Sequence, residues 1–348
     1  MGPPSRDRRR TGAGKRLHDR GTSGDQGTSA QAPGYGAGAR FSKKSGGLLR
    51  EGNGKHEVME ALKAEFTVSE MSRWLGISRA AHYTWLRAHP RREARAKARQ
   101  RLLDKIRQAH QASRGTYGSR RILLDLKDGG ELVGRNQVAT LMREAGLSGV
   151  PRKRWKATTD SQHGEEISPN RLDRNFTVEA PNTVWVGDIT YIRTTAGWQY
   201  LATVIDLYSR RIVGWALAGH MRSELVEDAL KMACGRREVK PGLIFHSDRG
   251  SQYASLGFRK LLTKHGMIQS MSRKGNCWDN AVAESFFSTI KRDKLNQEVW
   301  SSTVRLRVIV IDYIEGFYNR IRRHSTLGGI SPLAFEKSGC VQTAAKAA

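Results

Sequence analysis

The sequence has few cysteines and no long hydrophobic run. Its three cysteines, Cys234, Cys277 and Cys340, lie far apart and form no CxxC pair. This argues against a disulfide scaffold and a cysteine-rich zinc module, and it is typical of a reducing cytosol. No stretch of 18 apolar residues is long enough to span a bilayer. The basic N-terminus lacks the apolar segment of a secretory signal. We therefore expect a cytoplasmic protein without a membrane partner.

Acidic residues are outnumbered throughout the chain. The 348 residues include 60 Lys and Arg against 33 Asp and Glu, which gives a formal net charge of +27. The excess is spread over every segment, so it is not one basic tail on a neutral domain. Such a charge favours a polyanionic partner. Charge alone indicates nucleic acid and no particular activity, because a ribosomal or chromatin-like protein would have a similar balance.

Residues 1–56 almost lack aliphatic side chains before Leu48 and are rich in Gly, Ser and Arg. A segment of this composition cannot bury a core. We therefore predict a disordered basic tail. It is either a loose DNA-binding arm or an extension of the gene's reading frame, with Met59 as an internal start.

Residues 57–90 show helix signals separated by a glycine turn. Thr67 and Glu70 have the spacing of a capping box, Gly76 ends the helix that follows, and another helix is expected over 79–88. This is the rhythm of a helix-turn-helix, which any small three-helix bundle shares. The candidate DNA contacts on the last helix are Arg79, His82 and Arg87.

Residues 91–150 repeat the pattern as a second helical DNA-binding unit, which Pro90 separates from the first. A helix is expected after Gly118 and another over 135–145. Arg135 and Asn136 are candidates for a groove or phosphate contact, with a solvated face as the alternative. Residues 151–179 are expected to form a basic linker.

From Trp185 the hydrophobic period changes to the alternation of strands. Three strands with a turn at Ala196 and Gly197 predict an antiparallel meander. The elements expected after it are helix 223–234, strand 243–245, helix 256–264, strand 268–271, helix 276–293 and helix 303–321. This order predicts an α/β fold, an RNase H-like core with a mixed five-stranded sheet over 180–337, and a tail over 338–348.

Three carboxylates are placed as a metal site requires. Asp188 lies in the middle of an apolar strand, where a charge is costly unless it is paired or binds a metal. Asp248 ends the fourth strand, which neighbours the first in this topology. Glu284 lies on the polar face of helix 276–293, with 35 residues between it and Asp248. Carboxylates in this arrangement can hold divalent cations that activate a water or a 3′-OH for attack on a phosphodiester.

The sequence around these carboxylates resembles a known family. WVGDITY, HSDRGSQY and DNAVAESFF resemble the catalytic core of retroviral-type integrases and DDE transposases. The motifs ATVIDLYSRRIVGW and YNRIRRHSTLGGISPLAF, and the helical motifs YGSRR and LMREAGL, narrow the resemblance to bacterial insertion-sequence transposases of the IS-three type. The resemblance covers about residues 57–337. Asp293 and Gly329 depart from it, since the family tends to have Glu and an aromatic residue there.

The resemblance implies that Asp188, Asp248 and Glu284 coordinate Mg²⁺ or Mn²⁺, two ions per active site. The enzyme would cleave a 3′ end at a terminal inverted repeat and join the freed 3′-OH to another phosphodiester. Its partner would be double-stranded DNA in the bacterial nucleoid, with a homo-oligomer forming on the DNA. The family also uses an upstream-frame partner protein. The alternatives are a non-catalytic DNA-binding regulator of transposition and an RNase H-type nuclease that does not join ends.

Several residues near the carboxylates have less specific interpretations. Arg249 and Lys291 are candidates for DNA phosphates beside the site. Arg322 and Arg323 are candidates for a DNA contact after the last helix, with a solvated patch as the alternative. Asp206 is expected to form a structural ion pair or turn, and His246 is not expected to bind a metal.

Overall fold

The computed structural model describes residues 35–51, 54–151, 167–173, 178–273 and 281–347. Contacts divide the chain into two compact units, Met1–Ala96 and Lys97–Ala348. In the described part of the chain, no helix is both long and apolar enough to cross a membrane.

The first unit is helical. Its elements are α1 (Tyr35–Arg50), α2 (Lys55–Ala61), α3 (Val68–Leu75) and the first part of α4 (Arg79–Ala112). The predicted capping box begins α3, because Thr67 Oγ1 accepts the backbone N–H of Glu70 and the Glu70 carboxylate accepts that of Thr67. Gly76, at φ +66°, ends α3. The core of this unit consists of Phe41, Val58, Met59, Leu62, Phe66, Met71 and Leu75.

Helix α1 lies in the segment predicted to be disordered, and that prediction is wrong for its residues. Phe41 is buried, and its ring centroid lies 5.3 Å from that of Phe66 and 4.9 Å from that of Trp74. One well-placed aromatic side chain can anchor a helix of small and polar residues, which average composition does not reveal. Residues 1–34 lie outside the described residues.

Helix α4 continues through Pro90, where the sequence predicted a boundary between two units. Proline usually ends or kinks a helix because it lacks an N–H and its ring crowds the preceding turn. Here the Arg92 guanidinium lies over the Trp85 ring and donates a 2.9 Å hydrogen bond to the Trp85 carbonyl oxygen. These contacts stabilise the turn that contains Pro90.

The second unit begins with a small helical layer. Helices α5 (Ser119–Asp128) and α6 (Arg135–Glu144) form where the sequence predicted them. They pack on the later part of α4, and the buried side chains of the three helices are Leu102, Ile106, Ile122, Leu126, Val138, Leu141 and Met142.

A mixed five-stranded sheet follows, as predicted. Its strands are β1 (Val184–Thr194), β2 (Gly197–Asp206), β3 (Ile212–Ala218), β4 (Ile244–Ser247) and β5 (Ile268–Met271). Their order in the sheet is β3-β2-β1-β4-β5. The first three strands are antiparallel, whereas β4 pairs in parallel with both β1 and β5. The predicted contact between the first and fourth strands is therefore confirmed.

Helices cover both faces of the sheet. Those on one face are α7 (Ser223–Arg236), α8 (Ser251–Ala254) and α9 (Leu256–Lys264), and those on the other are α10 (Ala281–Ile290) and α11 (Thr303–Ile311), before a C-terminal α12 (Pro332–Ala347). Side chains of β1 alternate between the two cores: Trp185 packs on the α7 side, and Val184 and Val186 on the α10 side.

Two predicted helices are less regular than expected. Helix α10 continues as a π-helical turn over Lys291–Leu295, and α11 continues as a π-helical segment over Asp312–Tyr318. The predicted start of the first helix, 276–280, lies outside the described residues. π-Helical turns widen a helix locally and are frequent at functional sites.

Candidate active site

The register of β1 and β4 places two carboxylates side by side. Val186 lies level with His246 in this parallel pair. Asp188 and Asp248 each follow two residues later, and the two carboxylates lie close enough for the charge of Asp248 to act on Asp188. β4 has ended by Asp248, whose Oδ1 accepts a 3.0 Å hydrogen bond from the Gly250 N–H. The sequence prediction that these two aspartates meet is thus supported by strand pairing.

Asp188 is placed where its negative charge is unfavourable. Its Oδ1 accepts a 2.8 Å hydrogen bond from the backbone N–H of Ile189. Burial raises the pKa of Asp188 well above its ordinary value, and the neighbouring charges of Asp248 and, more weakly, Glu284 raise it further. A bound cation would relieve this repulsion, so the donor set suits a hard divalent metal.

Glu284 approaches from the helix that covers this face. Helix α10 packs against the sheet through Ala283, Phe286, Phe287 and Ile290. Glu284 points away from that buried stripe and is exposed, although partial burial raises the pKa of its carboxyl. Within the described residues, no three His, Cys, Asp or Glu side chains form a ready metal-binding group. The structure therefore brings Asp188 and Asp248 together and leaves Glu284 on the adjacent helix.

Lys291 lies at the start of the π-helical turn, close to Asp188. It is buried, and its Nζ lies 4.6 Å from the centroid of the Tyr191 ring. Burial lowers the pKa of Lys291 to about 8, against the opposing effect of Asp188. The sequence placed Lys291 on the exposed face of Glu284, whereas here it extends over the end of β1. A contact with DNA stays a prediction.

Tyr253, which the sequence interpretation passed over, lies beneath the two aspartates. It is buried with Phe245 and Phe258 on the α7 side of the sheet. Burial raises the pKa of its phenol well above the ordinary value, and Asp188 and Asp248 act in the same direction. Its position five residues after Asp248, in HSDRGSQY, was the available signal. Its ring packs against Phe245 of β4, the strand that leads to Asp248.

Asp206 has the structural ion-pair and turn role expected of it. Asp206 accepts hydrogen bonds from the backbone N–H groups of Asn182, Tyr208 and Ser209, and from Arg237. His246 is buried, and its Nδ1 lies 2.9 Å from Ser270 Oγ. The expectation that His246 does not bind a metal stays a prediction.

The structure places some of the candidate DNA contacts on the surface and others in the interior. Four are exposed, as that role requires: Arg79, Arg87, Arg135 and Asn136. His82 is only 1% exposed, which contradicts a groove-facing role. His82 lies on the inward face of α4, where its ring stacks nearly parallel to the rings of His56 and Trp85. Arg249 donates from Nε to the Ser272 carbonyl oxygen at 2.7 Å.

Arg322 and Arg323, candidates for a DNA contact with a solvated patch as the alternative, are both bound to carboxylates. Arg322 Nε donates to Asp293 Oδ2 at 2.8 Å, and both side chains are buried. Arg323 forms ion pairs with Asp125 and Asp128. These partners could not be predicted from the sequence because they are distant along the chain.

Known proteins resemble this chain over most of its length. Two family models described as integrase core domain match residues 178–277 and 265–332, and one described as HTH-like domain matches residues 97–155. The insertion element IS600 uncharacterized 31 kDa protein of Shigella sonnei is 42% identical over 267 residues, which cover 77% of this chain and 97% of that protein.

A second relative has a named activity. Transposase InsF for insertion sequence IS3A of Escherichia coli K12 is 39% identical over 282 residues, which cover 81% of this chain and 98% of InsF. Among solved structures, the HTLV-2 integrase catalytic core domain in complex with magnesium is 17% identical and covers 45% of this chain and 97% of that chain, with a TM-score of 0.35. From the identity to InsF over nearly its whole length, together with the integrase core matches, the chain belongs to the IS3 family of DNA transposases, which are DDE polynucleotidyl transferases.

Proposed function

We propose that this transposase cleaves 3′ ends at the terminal inverted repeats of its insertion sequence and joins the freed 3′-OH to target DNA. Asp188, Asp248 and Glu284 serve as the metal ligands of this reaction. One observation carries the assignment: the parallel register of β1 and β4 sets Asp188 beside Asp248 on the face that the helix of Glu284 covers.

Two Mg²⁺ or Mn²⁺ ions fit the chemistry of the donor set. Hard divalent cations prefer carboxylate oxygens, and the raised pKa of Asp188 reflects an unfavourable charge that a cation would offset. Asp188 and Asp248 would hold the metal from adjacent strands, and Glu284 from α10. When bound, the metal supplies Lewis acidity for the attacking and leaving oxygens of a phosphodiester.

The remaining partners follow from the substrate. The ligand is double-stranded DNA, as transposon ends and as target, and the place of action is the bacterial nucleoid. Because two ends of one element must be processed, the active form on DNA is a homo-oligomer. A protein from an upstream reading frame is a further partner. The net charge of +27 supports the affinity for DNA.

Metal-dependent cleavage of a labelled terminal-repeat duplex tests the proposed site. We expect Asp188→Asn, Asp248→Asn and Glu284→Gln each to abolish 3′ cleavage in Mg²⁺ and Mn²⁺ while the duplex is still bound. Asp228→Asn is the control, since Asp228 is 62% exposed on α7. Cleavage that persists in all three variants would overturn the metal site. Cleavage by the unaltered protein without joined products would indicate a nuclease, and end binding without cleavage a regulator.

A further inference from the structure

A cavity of about 530 Å³ lies between α5, the β2–β3 turn, α10 and the chain that follows the second π-helical segment. Its basic wall consists of Arg121, Arg210, Arg292, Arg322 and His324. Hydroxyl-bearing side chains, among them Ser285 and Thr289 of α10, and apolar side chains such as Val282 and Phe286 also line it. None of the described residues that line it is an aspartate or glutamate.

Three of these arginines have unused hydrogen-bond donors. Arg322 is 2% exposed and donates from Nε to Asp293, yet its buried Nη2 has no hydrogen-bond partner among the described residues. Within the same part of the chain, the guanidinium groups of Arg121 and Arg210 form no hydrogen bond or ion pair, and that of Arg121 lies 5.3 Å from the centroid of the Tyr117 ring. Burial lowers the pKa of both groups, and the charge of Arg322 lowers that of Arg121 further. A buried donor without a partner is unfavourable unless a ligand supplies the acceptor.

The backbone also presents positive partial charge and strain at this cavity. Arg210 has φ +60°, a left-handed conformation that residues other than glycine adopt only infrequently. Gly118, the N-cap residue of α5, lines the cavity. No side chain caps this helix, and its first turn has no acidic residue. The N–H groups of α5 therefore add to the attraction for an anion.

The lowered pKa of His324 reflects burial and the positive charge of the arginines around the cavity. Burial lowers the pKa of its imidazole to about 3, and Arg322, Arg121 and Arg210 contribute in that order. Its Nε2 is buried and has no hydrogen-bond partner among the described residues. The ring is therefore neutral at physiological pH and can donate one hydrogen bond to an anion.

We propose that this arginine cavity binds a phosphate of the DNA backbone. Guanidinium groups recognise phosphate oxygens through paired N–H donors. Asp293 binds Arg322 and Arg292, whereas Arg121 and Arg210 have no carboxylate partner among the described residues. Helix α10 links the cavity to the candidate active site, since Ser285 and Thr289 line the cavity and Glu284 lies on another side of the same helix. A phosphate held here would fix the DNA in position relative to Glu284.

The inference that the bound phosphate belongs to DNA rests on the proposed function. The inference that the cavity binds a phosphate does not. The test therefore uses the full-length protein in EDTA, where binding is independent of metal-dependent cleavage. The probes are a labelled duplex of the element's end and, separately, inorganic phosphate. The variants are Arg121→Gln and Arg210→Gln, and the matched control is Arg120→Gln, an exposed neighbour on α5.

We expect each cavity variant to bind the duplex roughly tenfold more weakly, since one charge-assisted phosphate contact is lost. The slope of log affinity against log salt should fall by about 1. Arg120→Gln should bind as the unaltered protein does. Inorganic phosphate should raise the melting temperature of the unaltered protein above that in chloride at equal ionic strength, and less so in both cavity variants.

Equal affinities and salt slopes in all the variants, with no effect of phosphate on the melting temperature, would overturn the proposal. Stabilisation by phosphate with unchanged duplex binding would overturn DNA as the source and identify a free phosphate instead. Arg121→Lys and Arg210→Lys distinguish a lost contact from misfolding, because they keep the charge and should recover part of the affinity. Loss of cleavage in the carboxylate variants has no bearing on these outcomes.

Discussion

Arg322 donates a 2.8 Å hydrogen bond from Nε to Oδ2 of Asp293, and the two side chains are only 3% and 1% exposed. The same oxygen accepts from the Tyr313 hydroxyl at 3.0 Å, and Oδ1 accepts from Arg292 Nε at 3.0 Å. Asp293→Asn leaves the charge of Arg322 buried without its counter-charge. We expect it to lower the free energy of unfolding by about 3–5 kcal/mol, measured by urea denaturation.

An exposed ion pair provides the comparison for Asp293. Arg107 and Asp104 pair one turn apart on α4, with side chains 54% and 52% exposed. Asp104→Asn should change the free energy of unfolding by less than about 1 kcal/mol, because solvent screens the pair. An equally small change in Asp293→Asn would show that the buried pair does not stabilise the fold.

This buried pair illustrates what the sequence alone could not predict. Asp293 and Arg322 are distant along the chain, and each has the appearance of an ordinary surface residue. Asp293 lies in the first π-helical turn, Arg322 follows the second π-helical segment, and tertiary packing brings the two side chains together. The same limit applies to Arg323 and its partners Asp125 and Asp128. Side-chain partners across long separations depend on packing details that hydrophobic periodicity does not encode.

Strand order and the two aspartates were predictable for a different reason. Alternating hydrophobicity identifies strands, and the order of helices and strands restricts the topology, so Asp188 and Asp248 could be placed on adjacent strands. The prediction failed at α1, where average composition concealed the single anchor Phe41, and at Pro90, where Arg92 and Trp85 support the helix. Single contacts can override composition and propensity.

Asp188→Asn should stabilise the metal-free protein while it abolishes cleavage. Asp188 is buried beside Asp248, and among the described residues its carboxylate accepts a single hydrogen bond, from the Ile189 N–H. A neutral amide of nearly the same shape removes the charge repulsion. We expect a gain of about 1–2 kcal/mol in the free energy of unfolding in EDTA. Unchanged or lower stability would mean that the carboxylate charge is already compensated.

Asp206→Asn should have the opposite effect, although Asp206 is also a buried aspartate of the sheet. Its carboxylate accepts three backbone N–H groups and a hydrogen bond from Arg237. An amide presents an NH₂ group to some of these donors and weakens the ion pair. We expect a loss of about 2–4 kcal/mol by urea denaturation. If both variants shift stability in the same direction, hydrogen-bond satisfaction is not what separates the two sites.

His324 should make the protein less stable below pH 6.5. The folded-state pKa of this imidazole is lowered to about 3, first by burial and then by nearby arginines. Between that value and the ordinary pKa of about 6.5, the unfolded chain binds more protons than the folded one, so stability falls as pH falls. The slope should approach about 1.4 kcal/mol per pH unit.

The contribution of His324 is isolated by comparing pH profiles of thermal or urea unfolding. His324→Gln should have a flatter profile between pH 4 and 6 than the unaltered protein. His220→Gln is the control, because His220 is exposed. A profile of His324→Gln that matches the control would show that His324 is not kept neutral by the fold.

Gly214 allows α7 to approach β3 closely. A Cβ built on Gly214 would lie 2.2 Å from the Ala229 carbonyl oxygen and 2.7 Å from the Ala233 backbone nitrogen. These are backbone atoms of a packed helix, so a methyl group could be accommodated only by shifting α7 away from the sheet. We expect Gly214→Ala to lower the free energy of unfolding by about 1–3 kcal/mol.

Gly235, on α7 with no atom within 4 Å of its Cβ position, is the matched control. Gly235→Ala should stabilise by about 0.5–1 kcal/mol through its higher helix propensity. A stable Gly214→Ala would mean that the contact between helix and sheet adapts without cost.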